Sequence, residues 1–455
     1  MASIPPTNSS DRSVIVSLGN SVKRLPGWNR LTRAGNRYLP GVWPRIRSIY
    51  HRVSGVPGAT RFVDPSIPVT AEALLLRRFP ALAPLPVFPQ AGGARRLTLV
   101  TDSIAEGSLF GGVGTAIALA CLLARRLDVP LRVATRTEEP VPGNFGAVVS
   151  ALGIPYEANV EFMLVNDSVA GRALPLSDDD LLLTTSWWTT RSALGSVRPE
   201  RIIYLLQEDE RMFYPAGDEQ LRCAETLDDP RLTFVVNTSM LRDHFIADGL
   251  RGAGEGSIAF EPAFPARIYH PEPRPAGTRR RFFFYARPNN PRNLFLRGIE
   301  VISAAIVDRV LDPADWEFHF AGKDIPAVAL PGQVRPVIHQ GLPWHDYAAL
   351  VRSTDLGLCL MSTPHPSYPP LDLAASGAVV VTSRHGRKQD LSALSPNIIC
   401  ADPSVAGLLD GLRAGVALAT DAQQRARNAA AGTIARDWEM AFAPVLDRLV
   451  ATAGR

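Results

Sequence analysis

Three short stretches carry residue types that can bind or move charged groups. In FFFYARPNNPRNLFLRG, Arg287 and Arg292 flank a proline-stiffened turn between an apolar run and a helix start. The helix dipole opposes cations at its N-terminus, so two arginines there call for an anion, and a diphosphate is the natural one. In MSTPHPSYPPLDLAASGAVVVTS, Pro364, Pro366, Pro369 and Pro370 keep the chain extended, so that a helix can begin only at about Pro370. Asp372 then falls in the first turn, and Ala374, Ala375, Ser376 and Gly377 form a helix with almost no side chain, which something approaches closely. Asp372 would accept hydrogen bonds from ribose or sugar hydroxyls, or simply complement the helix start; His365 and Tyr368 could stack on or hydrogen-bond a sugar. In YLLQEDERMFYP, Glu208, Asp209 and Glu210 follow a core strand, as general base or acceptor ligands on one reading and as a solvated charge run on the other.

Weaker signals surround these. A glycine-bearing loop, with Gly107, Gly111, Gly112 and Gly114, leads into a helix and lets backbone amides approach an anion. It lacks the third glycine of a dinucleotide fingerprint, and Arg136 stands beyond the second strand where an acid would be needed, which disfavours a nicotinamide-dependent oxidoreductase. Lys323, in FAGKD, follows another core strand, and the loop His339–Leu342 with Gly341 can hold a flat base through its backbone. No HExxH, paired CxxC or clustered aspartates occur, so no built-in catalytic metal is expected.

The elements that must position these residues alternate. Apolar runs at Arg96–Asp102, Pro130–Thr135, Val160–Val165, Leu181–Thr184, Ile202–Leu206 and Leu232–Val236 read as strands separated by helices such as Thr115–Leu127. After a proline-rich hinge over residues 261–281, the alternation restarts with strands Phe282–Tyr285, Trp316–Ala321, Val334–His339, Leu356–Met361 and Val379–Thr382. This pattern predicts an α/β protein of two doubly wound Rossmann-like domains facing a central cleft, with a basic N-terminal extension; ligand should lie at the carboxyl ends of both sheets. The expected divisions are 1–90, a basic extension and adapter; 91–265, the first domain; 266–435, the second; and 436–455, a helix crossing back to the first.

With 455 residues, 46% hydrophobic and 20% charged, the chain can bury more than one core. No apolar run approaches the ~20 residues of a transmembrane helix, and the N-terminus lacks a signal-peptide pattern, so a cytoplasmic location is expected. The four cysteines are far apart and read as reduced core thiols. Residues 1–60 hold nine Lys or Arg against one acid, either an arm resting on the anionic inner face of the plasma membrane or a solvated extension. Nucleic acid is not expected, for no recognition motif accompanies the charge.

Taken together, YLLQEDERMFYPAGDE, FYARPNNPRN and SYPPLDLAASGAVVVTS resemble the GT-B nucleotide-sugar glycosyltransferases of family 4, in outline over residues 95–450, and within them bacterial rhamnosyltransferases of surface-glycan synthesis. The resemblance implies that Arg287 and Arg292 hold and stabilise the leaving diphosphate. Asp372 matches the acid, normally glutamate, that binds the donor ribose, and Tyr368, Ser367, His365, Gly341, Leu342 and Lys323 complete the donor side. Gly111 and Gly112 match the glycine loop, Glu208 lies near the reacting centre, and Asp209 and Glu210 lie near the acceptor. The family carries two acids separated by seven residues; Pro364 stands at the earlier position. The implied reaction is metal-independent transfer, with retention, of rhamnose from dTDP-L-rhamnose to a growing cell-surface polysaccharide such as an O-antigen, with no cofactor required. The alternatives are a family-4 enzyme using a UDP- or GDP-hexose and, in another class, a non-catalytic glycan-binding protein of the same fold.

Overall fold

A computed structural model describes residues 68–105, 109–166, 172–272 and 277–453. The basic arm and Gly107 lie outside them. The chain divides into two units, Met1–Ala83 and Pro84–Arg455. In the first, helix α1 (Ala71–Arg78) starts on Thr70, whose Oγ1 accepts from the Ala73 amide at 3.2 Å.

Among the described residues, the second unit holds two large parallel sheets and one two-stranded parallel pair. Strands β1 (Val87–Pro89), β2 (Leu97–Thr101), β3 (Leu131–Thr135), β4 (Val160–Leu164), β5 (Leu174–Leu176), β6 (Leu181–Thr184), β7 (Ile202–Leu206), β8 (Thr233–Asn237) and β9 (Ile258–Phe260) occupy its first half. Seven of them form one sheet in the order β4-β3-β2-β6-β7-β8-β9, while β1 and β5 pair separately. The second half contributes β10 (Arg280–Ala286), β11 (Trp316–Gly322), β12 (Val337–Gln340), β13 (Leu356–Leu358), β14 (Val379–Ser383) and β15 (Ile398–Ala401), in the order β12-β11-β10-β13-β14-β15. Helices α2 (Gly114–Leu127), α3 (Pro142–Leu152), α4 (Trp187–Leu194), α5 (Asp218–Leu227) and α6 (Ser239–Ala247) serve the first sheet. Helices α7 (Phe295–Val307), α8 (Trp344–Arg352), α9 (Tyr368–Ala375), α10 (Val405–Thr420) and α11 (Ala422–Ala431) serve the second, and α12 (Trp438–Ala453) follows.

Strand order reverses between β2 and β6 in one sheet and between β10 and β13 in the other. Crevices open at the carboxyl ends of such switch points, because successive crossovers leave there in opposite directions. The first crevice is bounded by the glycine loop and by Ser186–Trp188; the second by Arg287 and by the proline loop. The glycine loop, Arg287 and the proline loop are stretches that the sequence singles out; Ser186–Trp188 is not.

Helix α2 is apolar on every side, and from Gly114 to Ala124 it is buried throughout. Helix α12 returns to cover it: Trp438, Phe442, Val445, Leu446 and Leu449 join the first sheet's core, flanked by the ion pairs Arg125–Glu439 and Arg126–Asp447. The two chain crossings are stitched together. The Phe264 amide donates to Ala435 O (2.7 Å), and the Arg436 guanidinium donates to the carbonyls of Phe264, Tyr269 and Ala375 at 3.2, 3.0 and 2.9 Å.

Several boundaries differ from the sequence reading. The helix after the arginine turn begins only at Phe295, because Pro291–Asn293 closes a 3-10 turn and Leu294 takes φ 48°. The strand expected over Val334–His339 starts at Val337, and that over Leu356–Met361 stops at Leu358. Helix α9 starts at Tyr368, two residues before Pro370, since prolines in a first turn forfeit no intrahelical bond. Asp372 is consequently the fifth helical residue and not a first-turn acid. All four cysteines are buried free thiols, and among the described residues no helix is long and apolar enough to cross a membrane. Replacing Phe442 with Ala should cost about 3–5 kcal/mol in urea unfolding, as for a fully buried aromatic; a loss below about 1 kcal/mol would mean that α12 is not part of the core.

Candidate active site

The arginine turn is fixed by contacts within the chain. Strand β10 ends against Gly322, where a Cβ would overlap the Ala286 carbonyl, so only glycine lets β11 close on the chain leading to Arg287. Asn290 Oδ1 accepts from the Arg292 amide (3.3 Å), and Asn293 Nδ2 donates to Leu360 O (3.3 Å). The Ser362 amide donates to Arg292 O at 2.7 Å, binding the turn to the proline loop. Arg287 Nη1 lies 3.5 Å from the Tyr285 hydroxyl.

The Arg292 guanidinium crosses the cleft. Its Nη1 pairs with Glu208 Oε2, and its Cζ lies 4.4 Å from the centroid of the Phe213 ring. The same carboxylate oxygen is 3.3 Å from His365 Nε2 and 3.4 Å from Thr363 Oγ1. His365 Nδ1 accepts from the Ser367 amide (3.2 Å), which leaves Nε2 to carry the ring proton. Burial works to raise the Glu208 pKa, but His365 and then Arg292 overcome it and hold it down at about 2. Lys388, wholly buried nearby, donates from Nζ to Met361 O at 2.7 Å; burial pulls its ammonium down to about 8, against the opposing influence of Cys400 and Glu208.

Tyr368 makes a second crossing. Its hydroxyl meets Thr115 Oγ1 at 2.5 Å and Asn237 Nδ2 at 3.0 Å. Thr115 Oγ1 also donates to Gly111 O (2.9 Å), and Gln207 Nε2 donates to Gly112 O (2.8 Å), so the glycine loop is held from both sides. Ser367, at the start of α9, is buried with φ 66°, a left-handed value that a non-glycine residue adopts only under the pressure of its surroundings.

The remaining acids fare differently from expectation. Asp372 is only 5% exposed; burial lifts its carboxyl to about 7 despite hydrogen bonds from Tyr269 and Tyr347, the latter at 3.0 Å to Oδ2. Asp209 is engaged by its neighbours: Arg211 grips it at 2.8 Å with two nitrogens and His244 at 3.0 Å, and these partners outweigh burial to hold it at about 2. Asp209, His244 and Asp248 could in principle share a cation, but Arg211 Nη2 already bridges the two carboxylates, at 2.8 and 2.6 Å. Glu210 accepts from the Trp187 amide (2.8 Å) at the start of α4, and burial lifts it to about 8. Gly341, with φ 53°, donates to Gly322 O (2.9 Å), Leu342 packs against the α9 core, and Lys323 is exposed past β11. These three stand at the outer side of the second sheet's carboxyl edge.

Residues that the sequence reading passed over include Thr363, Lys388, Tyr269, Tyr347 and the pair Trp188–Asp102, in which indole Nε1 donates to Oδ2 at 2.7 Å. The tandem tryptophans after a core strand were the available signal for the last. Trp187, Trp188, Tyr214 and Phe213 form a chain of edge-on and tilted rings at 5.9–6.4 Å centroid spacing on the first sheet's side of the cleft.

Because Asp372 binds its proton more tightly folded than unfolded, its contribution to stability is complete below the unfolded value near pH 4 and is lost as pH rises through about 7. Asp372→Asn should therefore melt higher than the unsubstituted protein at pH 8, with the difference shrinking or reversing at pH 5; equal offsets at both pH values would contradict the assignment.

Comparison with known proteins follows the same division. Residues 96–239 match the WsaF N-terminal domain, and residues 280–413 match the WsaF C-terminal domain. The chain is 32% identical over 353 residues to the O-antigen biosynthesis protein RfbC of Myxococcus xanthus, an alignment covering 76% of this chain but 26% of that protein. The chain thus spans about a quarter of the length of that relative. Among solved structures, Anabaena HepE in complex with UDP and glucose superposes with a TM-score of 0.53 at 14% identity, over 79% of this chain and 100% of that one. Sucrose-phosphate synthase from Thermosynechococcus elongatus superposes with a TM-score of 0.52 at 11% identity and the same coverage. At such identities these likenesses speak for the fold. The chain carries WsaF-like N-terminal and C-terminal domains, in that order, on a GT-B fold.

Proposed function

We propose that this chain is a retaining glycosyltransferase of surface-polysaccharide synthesis, moving rhamnose from a nucleoside diphosphate donor, dTDP-L-rhamnose, to a growing glycan. The observation that carries the reading is the convergence of Arg292, His365 and Thr363 on one anionic oxygen at the switch point of the second sheet, opposite the glycine loop of the first. A departing diphosphate needs such donors, set before the reaction in a site with little water. Arg287 and Arg292 would neutralise the phosphates. Ser367 and the small-residue helix behind it would lie against the donor, Tyr368 would close the cleft over it, and Asp372, with Tyr269 and Tyr347, would face the ribose. Pro364, buried where an acid stands in many family-4 enzymes, leaves no carboxylate for a hexose hydroxyl and suits a 6-deoxy sugar. Gly341, Leu342 and Lys323 would border the base. Among the described residues no carboxylate is assigned here as a nucleophile, which fits attack by the acceptor on the face the phosphate leaves. The acceptor would rest on the first domain, along Trp188 and Phe213, in place of Asp209 and Glu210.

Arg287→Ala should lower kcat about 10²–10³-fold, as for loss of one preset donor to a developing anion, in a transfer assay over a panel of nucleotide sugars and glycan acceptors. Thermal shifts with dTDP, UDP and GDP discriminate donors: stabilisation by UDP alone would replace the rhamnosyl reading with a UDP-hexose one. Absence of both transfer and hydrolysis with every donor would favour a non-catalytic glycan binder. Trp188→Ala should raise the acceptor KM about tenfold with kcat less affected, the signature of lost uniform binding; an unchanged KM would place the acceptor elsewhere.

A further inference from the structure

Glu208 belongs to the first sheet's β7 exit, yet the groups that satisfy its Oε2 all belong to the second half of the chain: Arg292 on the arginine turn, and Thr363 and His365 on the proline loop. Thr363 and His365 are nearly inaccessible to solvent, and with Nδ1 accepting from the Ser367 amide the His365 ring carries its proton on Nε2, 3.3 Å from this oxygen. The second domain therefore carries a seat for a single anionic oxygen, made of one guanidinium, one imidazole N–H and one hydroxyl. A carboxylate fills it here, and a phosphoryl oxygen has the same charge and takes the same donors.

We propose that Glu208 is a resident anion on the donor's phosphate seat, so that a nucleoside diphosphate binds by displacing the Glu208 carboxylate from Arg292, His365 and Thr363. The inference rests on the donor-site reading above and adds an internal competitor to it. Its consequence is a threshold: only an anion that offers these donors more than a carboxylate does takes the seat, which favours a diphosphate over smaller or more weakly charged anions. Displacement also removes the carboxylate tie between the two sheets at this point, leaving Glu208 on the acceptor side of the cleft. The low pKa of the Glu208 carboxyl accords with its being held as an anion at any working pH.

The neighbouring acids do not share this behaviour. Asp209 is tied sideways to Arg211 and His244, and Glu210 is tied downward to the Trp187 amide, so neither can take the seat when Glu208 leaves. The competition is consequently specific to one side chain.

Calorimetric titration of the full chain with dTDP, UDP and GDP tests the proposal. Glu208→Gln keeps the shape but removes the charge, and should tighten the best-bound nucleoside diphosphate by about ten- to a hundredfold, since the fraction of protein with an open seat scales the apparent affinity. Glu208→Asp draws the carboxylate back by one methylene and should fall between the two, which keeps the test open even if the Gln variant fails to fold. Equal or weaker binding by both variants, with melting temperatures near that of the unsubstituted protein, overturns the resident-anion proposal while leaving the donor site standing. Binding of none of the three nucleotides by any of the three proteins overturns the donor-site reading and the seat with it.

Discussion

A guanidinium and a carboxylate taken out of water need each other, and the ion pair of Arg292 and Glu208, with only 15% and 23% of their side chains exposed, sets the terms for the cleft. Removing two charges from water costs several kcal/mol per ion, and the pair recovers this only where further hydrogen bonds complete it. His365 and Thr363 supply those bonds, and Phe213 covers the outer face of the guanidinium. Everything that aims Arg292 follows from the same demand: the Asn290 cap, the Asn293 bond to Leu360 and the Ser362 bond to Arg292 O fix one backbone turn relative to the proline loop. On the opposite side, three consecutive acids divide their directions. Glu208 crosses the cleft, Asp209 runs to Arg211 and His244, and Glu210 caps the start of α4, so the two outer anchors determine where the first one points.

The same acids show how one cleft makes different carboxyl groups out of similar residues. Glu208 and Asp209 each meet cations, which outweigh burial and hold both at about 2. Glu210 and Asp372 meet neutral donors, a backbone amide in one case and tyrosine hydroxyls in the other, and burial lifts them to about 8 and about 7. A neutral donor stabilises a carboxylate by less than its desolvation costs, whereas an adjacent cation more than offsets it. Near pH 7, then, two acids of this group are anions committed to partners and two hold protons for part of the time, so that anionic charge at the cleft is concentrated on Glu208 and Asp209.

Much of this was legible in the amino-acid sequence, and what was not has physical reasons. Continuous apolar runs such as Leu181–Thr184 and Ile202–Leu206 could only be strands buried on both faces, and their alternation with helices dictated a parallel sheet. The arginine turn and the proline loop were legible as a pair because each follows a core strand. The direction of each acid in 208–210 was not, because the 3-10 turn beginning at Glu210 ends the extended geometry in which alternate residues share a side. Asp372 lies beyond the first turn of α9, because Pro369 and Pro370 sit where a first turn needs no amide and so do not delay the helix. The β1–β5 pair joins residues 87–89 to 174–176, and Lys388 reaches Met361 from 27 residues away; neither leaves a local pattern.

The sheets are held to each other by two kinds of contact with opposite properties. At the crossings, α12 buries Trp438 and Phe442 in the first core, and Arg436 satisfies three carbonyls, so separation there would expose apolar surface and orphan backbone groups. At the mouth of the cleft the described contacts are mainly polar: Glu208 with Arg292, His365 and Thr363, and Tyr368 with Thr115 and Asn237. Each of these mouth contacts is a hydrogen bond or ion pair that water or a ligand can replace one for one. Free energy is therefore invested in keeping the halves joined at the back, and the front is left to contacts that an incoming anion can exchange, which is the arrangement a cleft needs if it is to take up and release a charged substrate without unfolding.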